Sequence, residues 1–181
     1  MGEFVGGEEQ LNPHGVYFVR GHADIFDPVL ILQPDCVFID EGARIDSFAD
    51  IRGGQGVHIG KYVHVGNHCS VNIGGGVTEI GDYVGIGPGA KILSGSNMPE
   101  GLSMSAAAPK EMQVVHRGRT VIGRYAFVGT NAVVMPDVTI GDYSVLGAGA
   151  VATKDIPPGE IWAGVPARKI GVRDEWLSKS R

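Results

Sequence analysis

Residues 140–159 read IGDYSVLGAGAVATKDIPPG. Ile140, Leu146 and Ala152 are six apart, and Gly141 and Gly147 directly follow the first two. Working backwards, the same beat gives Val134, Val128 and Ile122, then Ile92, Ile86 and Ile80 beyond a gap. A slip of three residues at the GGG of 74–76 leads to Val71, Val65 and Ile59, and a slip of two at Val57 and His58 to Ile51, Ile45 and Ile39. A second beat lies four residues after each aliphatic: Val63, Cys69, Val84, Ala90, Ala126, Ala132, Val138, Ser144 and Ala150. Neither the helical period of 3.6 nor the strand period of 2 yields two registers locked at six.

A six-residue repeat of this kind is the mark of a parallel β-helix. Each hexapeptide makes a short strand and a turn, and three hexapeptides close one triangular coil. The aliphatic residue fills the core, the small residue sits inside the corner, and stacked coils bury what no single coil could bury alone. The beat predicts about five coils, starting at 39, 59, 80, 122 and 140. Residues 1–32 are expected to be an irregular or capping segment, and 33–156 the β-helix. Residues 93–121 interrupt the beat without breaking its phase, so they predict an external loop, long enough to suggest a functional one. Residues 157–181 are expected to form a C-terminal loop and a short helix.

Glycine is unusually frequent, 29 of 181 residues, without the triplet of collagen. The net charge of −5 argues against a nucleic-acid partner. It is unevenly spread, because 154–181 hold six Lys or Arg against four Asp or Glu. The acidic N-terminus lacks the apolar segment of a signal peptide, and no stretch reaches the roughly 18 apolar residues of a membrane span. Two cysteines make no disulfide framework. A cytoplasmic setting is the expectation.

The repeat, the interruption and the ending ATKDIPPGEIWAGVPARKI at 152–170 resemble the hexapeptide-repeat acyltransferases, most of all the galactoside- and polysaccharide-type acetyltransferases. The resemblance implies a left-handed parallel β-helix, a homotrimer with active sites between subunits, and acetyl-CoA as co-substrate. It implies a sugar acceptor and requires no metal. It places pantetheine against the backbone amides of Thr130 and Ala148, an aromatic at Phe127 beside the acetyl channel, and CoA phosphates near Lys154, Arg168 and Lys169. Lysine offers phosphate a point charge and arginine a fork.

Acetyl transfer to a hydroxyl or amine needs a base to take the acceptor's proton. The galactoside branch carries a histidine at the last position of the hexapeptide before the loop. That hexapeptide is ILSGSN here, so Asn97 stands in its place. An amide cannot act as the base, though it can orient the acceptor. His64 is the leading replacement, because the repeat stacks it in one column with Gly85 and Phe127, and the glycine should leave a groove beside it. His116, within the loop, and His68, on a corner, are the alternatives. His58 is expected at a bulge, and His14 and His22 outside the repeat. Cys69, at an inward small position, reads as filler. Two other readings share the fold. One is a gamma-class carbonic anhydrase, whose zinc needs three converging ligands; the spacing of His64 and His68 does not supply its pattern. The other is a non-catalytic scaffold.

Overall fold

The computed structural model describes residues 9–12 and 15–173. The chain winds as a parallel β-helix with three faces. The first face stacks Gly15–Arg20, Val37–Asp40, Gly56–Ile59, Val77–Ile80, Arg119–Ile122 and Thr139–Ile140. The second stacks Asp24–Ile25, Arg44–Ile45, His64–Val65, Gly85–Ile86, Phe127–Val128, Val145–Leu146 and Glu160–Ala163. The third stacks Leu30–Leu32, Asp50–Arg52, Ser70–Ile73, Lys91–Leu93, Val133–Val134 and Val151–Ala152. Pairing keeps the beat in register. On the first face Ile39, Ile59, Ile80, Ile122 and Ile140 lie one above another.

Both beats of the sequence point inward. Every aliphatic from Ile39 to Ala152 is essentially fully buried, and so are the small residues from Val63 to Ala150. A fully buried Ile or Val contributes roughly 1.5–3 kcal/mol, so the aliphatic columns supply the main stabilisation. Glycine after the aliphatic serves close approach between coils. A Cβ on Gly87 would lie 2.6 Å from the Thr130 amide nitrogen one coil above. The left-handed backbone falls two residues later, at Tyr62, His68, Tyr83, Tyr125, Asn131, Asp137 and Tyr143, with φ between 55° and 63°. Four of these are tyrosines stacked into a ladder at the corner between the first and second faces. Ring centroids are 5.2 Å apart for Tyr62–Tyr83 and 4.8 Å for the next two pairs. A non-glycine residue in this region costs roughly 1–3 kcal/mol. A stacked pair returns about 0.5–1.5 kcal/mol beyond its burial, so the ladder offsets part of that cost.

Three expectations are corrected. The coil count is six, with the start of a seventh, not five. Residues 15–32 form a regular first coil: Val19, Ile25 and Ile31 pair with Ile39, Ile45 and Ile51. These three are themselves six apart; no glycine follows them, as none follows Ile39, Ile45 or Ile51, and Pro28 interrupts the run between Ile25 and Ile31. The seventh coil begins with a bridge between Ile140 and Ile156 and the pairing of Val145–Leu146 with Ile161–Trp162. Residues 160–172 then form an antiparallel hairpin instead of a loop, joining Glu160–Ala163 to Arg168–Val172. The expected short helix lies mostly outside the described residues, which end at 173. Finally, Val57 and His58 belong to a continuous strand paired to Val37 and Phe38. The slip is taken up instead at the corner before that strand, around Gly53–Gly56.

A buried polar cluster fixes the corner from which the external loop departs. Asn72, fully buried with φ 66°, donates to the carbonyls of Arg52, Gly53 and Gly76 at 2.7–3.1 Å. Its Oδ1 accepts from Thr78 Oγ1 at 2.9 Å and from Ser94 Oγ. Ser94 also accepts from the Gly76 N–H at 2.9 Å, tying the glycine corner to the loop's first residue. The loop itself folds back as a two-stranded antiparallel ladder, Gly95–Asn97 against Val115–Arg117. Replacing Asn72 by Ala strands the Thr78 and Ser94 hydroxyls and the Arg52 carbonyl, while the Gly53 and Gly76 carbonyls keep the N–H groups of Gly56 and Gln55. Each buried orphan costs about 1–3 kcal/mol, so a loss of at least ~3 kcal/mol is expected, read as a lowered denaturation midpoint. An unchanged midpoint would mean the corner is held by its glycines alone.

Candidate active site

His64, Gly85 and Phe127 are direct neighbours on the second face. The groove expected over Gly85 is occupied by the ring above it, since a Cβ there would meet Phe127 Cδ2 at 3.0 Å. Phe127 keeps 44% of its surface exposed, so the ring roofs the glycine while facing solvent. Below His64, one coil down, lies Asp46. His64 Nε2 is 2.8 Å from Asp46 Oδ2, and Arg44 Nε donates to Asp46 Oδ1 at 2.8 Å. Arg44 in turn sits 5.0 Å from the centre of the Phe26 ring. Burial pushes the Asp46 carboxyl up, but the hydrogen bonds and charges of His64 and Arg44 outweigh it and hold it below its ordinary 3.8. Asp46 is therefore ionised at neutral pH and only accepts. The proton of neutral His64 then sits on Nε2, leaving the Nδ1 lone pair as the basic atom.

The other histidines are placed differently. His68 lies at a corner with its ring stacked on Phe48, 5.0 Å away and 7° from parallel. His116 is in the loop's second strand, with Nε2 2.5 Å from Asp137 Oδ2, while Asp137 Oδ1 accepts from the Arg119 N–H at 3.1 Å. His58 faces outward on the first face and meets Asp40 at 2.9 Å. His22 belongs to the first coil, 3.0 Å from Asp24, and His14 lies outside the described residues. Asn97 donates to the Met104 carbonyl and to Gln113 Oε1 at 2.9 and 3.1 Å, so it braces the external loop. It is not beside His64 on the second face.

Thr130 and Ala148 stand one coil apart at the corner between the second and third faces. A Cβ on Gly129 would lie 2.5 Å from the Ala148 nitrogen, which shows how closely the two levels stack. Among the described residues, neither amide has an acceptor within the chain; the N–H groups beside them, Gly129, Asn131, Gly147 and Gly149, all do. The corresponding position one coil below is Pro88, which has no N–H to offer.

The three basic candidates near the C-terminus differ in freedom. Lys169 Nζ is 2.6 Å from Glu160 Oε1, and Trp162 Nε1 donates to Glu160 Oε2 at 2.7 Å. Those two bonds hold the Glu160 carboxyl below its ordinary value. Lys154 Nζ rests 5.2 Å above the Trp162 ring. Among the described residues the Arg168 side chain makes only a bond to the neighbouring Ala167 carbonyl at 2.9 Å, so its fork is the most available of the three. Cys69 donates to the Gly87 carbonyl at 3.1 Å, and burial pushes its thiol up, which suits a packing role. Cys36 is likewise a free thiol. Among the described residues no three His, Cys, Asp or Glu side chains are arranged to hold a metal ion. Nor is any helix there long and apolar enough to cross a membrane.

Residues 119–154 match the family model described as bacterial transferase hexapeptide (six repeats). That stretch carries the hexapeptide repeat of the family model. That agrees with the resemblance read from the sequence. The fold is also that of solved acyltransferases. AntD, an N-acyltransferase from Bacillus cereus in complex with dTDP and 3-hydroxybutyryl-CoA, is 22% identical, with a TM-score of 0.70 over 91% of this chain and 88% of that one. A hexapeptide transferase family protein from Anaplasma phagocytophilum is 24% identical, with a TM-score of 0.61 over 87% and 86% of the two chains. A hexapeptide-repeat containing acetyltransferase from Vibrio cholerae is 22% identical, with a TM-score of 0.57 over 83% and 70%. No curated protein matches the chain.

The Asp46 cluster has a consequence for acid stability. A carboxylate held below its ordinary value stabilises the fold fully above that value, here 3.8, and the benefit is lost as pH falls through the lower folded value. Asp46→Asn should therefore lower the melting temperature slightly at pH 7. The difference from the native protein should shrink to nothing as the pH is taken down through the lowered folded value. A difference that persists unchanged into acid would show that the contribution is packing and not charge.

Proposed function

We propose that this protein is an acyl-CoA-dependent acyltransferase that moves an acetyl group to a hydroxyl or amine of a sugar or glycan precursor. The observation that carries this reading is the pair of uncommitted amides at Thr130 and Ala148. They sit one coil apart on a corner of a hexapeptide solenoid, where an extended chain bearing its own amide carbonyls could accept from both. Pantetheine is such a chain. Phe127 neighbours the column and supplies an apolar wall for a small acyl group. Arg168 and Lys154 supply positive charge for the phosphates, with Lys169 partly neutralised by Glu160.

The chemistry assigned to the chain is direct transfer. The acceptor's lone pair attacks the thioester carbonyl carbon while His64, through Nδ1, takes its proton. Collapse of the tetrahedral adduct breaks the carbon–sulfur bond, and protonated His64 passes the proton it took to the departing thiolate, so coenzyme A leaves as the thiol and the base is restored. Asp46 is a positioning residue, since it fixes the ring and its tautomer through Nε2. Asn97 and His116 belong to the external loop. In a homotrimer with sites between subunits, that loop would approach a neighbouring chain's acyl site and help hold the acceptor.

His64→Ala should lower turnover by roughly 10²- to 10⁴-fold, the usual worth of a general base, with acyl-CoA affinity and melting temperature little changed. Asp46→Asn should lower kcat less and leave the acyl-CoA affinity intact. Full turnover in a folded His64→Ala protein, with inactivity in His116→Ala, would move the base to the loop. For the cofactor, Arg168→Ala and Lys154→Ala should weaken CoA and spare a pantetheine fragment, with Lys169→Ala the mildest. Equal losses for both ligands would assign these residues to folding. Sedimentation as a trimer is expected, and a stable monomer at micromolar concentration would remove the shared site.

A further inference from the structure

Under the external loop lies a cavity of about 720 Å³, lined by Gly74, Asn97, Lys110, Gln113, Val115 and Arg117 with two loop alanines. It adjoins a second hollow of about 300 Å³, formed by Gln33, Gly54, Gln55, Gly75 and Arg117. Arg117 is common to both, and the two form one groove along the corner between the third and first faces. Strand alternation sends Val115 and Arg117 to the groove and His116 to the other side, toward Asp137. The groove is therefore separate from the histidine-bearing column of the second face and from the Thr130–Ala148 corner.

Its electrostatics contrast with those of the whole chain. The protein carries a net charge of −5, yet among the described residues no Asp or Glu lines either hollow. Two cations do, Lys110 and Arg117. Elsewhere on this solenoid most outward cations are paired, such as Arg119 with Glu79 and Arg52 with Asp50. Neither Lys110 nor Arg117 has an ion-pair or side-chain hydrogen-bond partner among the described residues. Arg117 is held over the glycine corner, with Nε 3.8 Å from where a Gly75 Cβ would stand. The glycines leave backbone in place of side chains beneath it. The rest of the lining is neutral and polar. Asn97 spends its NH₂ on Met104 and Gln113, which leaves its Oδ1 to accept, and the Gln55 side-chain amide has no partner among the described residues.

Two unpaired cations in an acid-free groove call for a ligand bearing about two negative charges, and an arginine fork matches phosphate oxygens. Side-chain amides around them suit hydroxyl groups. The larger hollow alone, about 720 Å³, falls in the range of small-molecule sites, about 300–1,000 Å³. We infer that this groove binds a phosphate ester with a hydroxyl-rich body, its phosphate between Arg117 and Lys110. A sugar phosphate and a nucleoside diphosphate share that chemistry. The inference goes beyond the acyl-transfer reading and does not need it, because it concerns binding at a place the acyl donor does not occupy.

The test is calorimetric titration of the full-length protein without acyl-CoA, using glucose 1-phosphate, thymidine diphosphate and glucose as probes. At least one phosphate probe should bind, glucose should not, and added salt should weaken the binding. The tighter of the two phosphate probes identifies the kind of body preferred. Lys110→Gln with Arg117→Gln should weaken the phosphate probe by about tenfold or more, as expected for lost bonds to a charged group. Arg117→Lys, which keeps the charge, should lose less. Coenzyme A affinity should be unchanged throughout. Should the double variant prove unstable, Lys110→Gln alone, in an exposed turn of the loop, should still weaken the probe severalfold. The inference is overturned if neither phosphate probe binds, if folded variants bind as the native protein does, or if coenzyme A loses affinity in parallel. Failure of coenzyme A to bind the native protein would instead count against the acyltransferase reading and leave this groove's result standing.

Discussion

The coils of this protein are hydrogen-bonded to one another through short parallel strands, most of them only two to four residues long. Such short strands hold a register only if the side chains beneath them agree at each level. The agreement is steric: an aliphatic residue over an aliphatic residue, a small one over a small one, and glycine wherever the backbone of the next coil comes within about 3 Å of a would-be Cβ. Shift one coil by a single residue and all three of its core residues turn outward. The solenoid therefore depends on a repeated inward pattern, and each coil is stable because its neighbours carry the same one.

That constraint leaves the outward positions free, and the chemistry of the chain is carried there. Stacking brings residues about 18 apart into contact, so polar partners recur as rungs between levels. His58 sits over Asp40, and His64 over Asp46. The fold makes such rungs at little cost, and a histidine–aspartate rung is not by itself evidence of catalysis. What distinguishes His64 is its company: a second partner, Arg44, on the same carboxylate, and Gly85 and Phe127 above it. His58 lies on a different face and lacks that column.

Departures from regular stacking also cluster. The corner between the third and first faces holds the extra residues at 53–56, the Asn72 network and the external loop. A longer corner needs its own hydrogen bonds, and Asn72, Thr78 and Ser94 provide them from inside the core. With the backbone held there by glycines and a buried amide, the two hollows beside it have no carboxylate in their lining among the described residues, and Arg117 and Lys110 have no ion-pair partner among those residues.

The inward half of this structure was legible in the sequence. Ile39 to Ala152 and Val63 to Ala150 are buried because a period of six repeats in the chain itself, and a core residue is recognised by periodicity alone. The column of His64, Gly85 and Phe127 followed from the same count. The first coil is less legible: Val19, Ile25 and Ile31 keep the beat, but no glycine follows them and Pro28 interrupts the run. Other features could not be counted out. That Phe127 roofs Gly85 and that Glu160 engages Lys169 depend on side-chain direction. That Arg117 and His116 fall on opposite sides of a strand depends on the pairing of 95–97 with 115–117 inside a loop that has no repeat. Periodicity specifies what faces the core, because the core is one-dimensional and repeats. What faces outward is decided by contacts between residues tens of positions apart, which only the tertiary structure brings together.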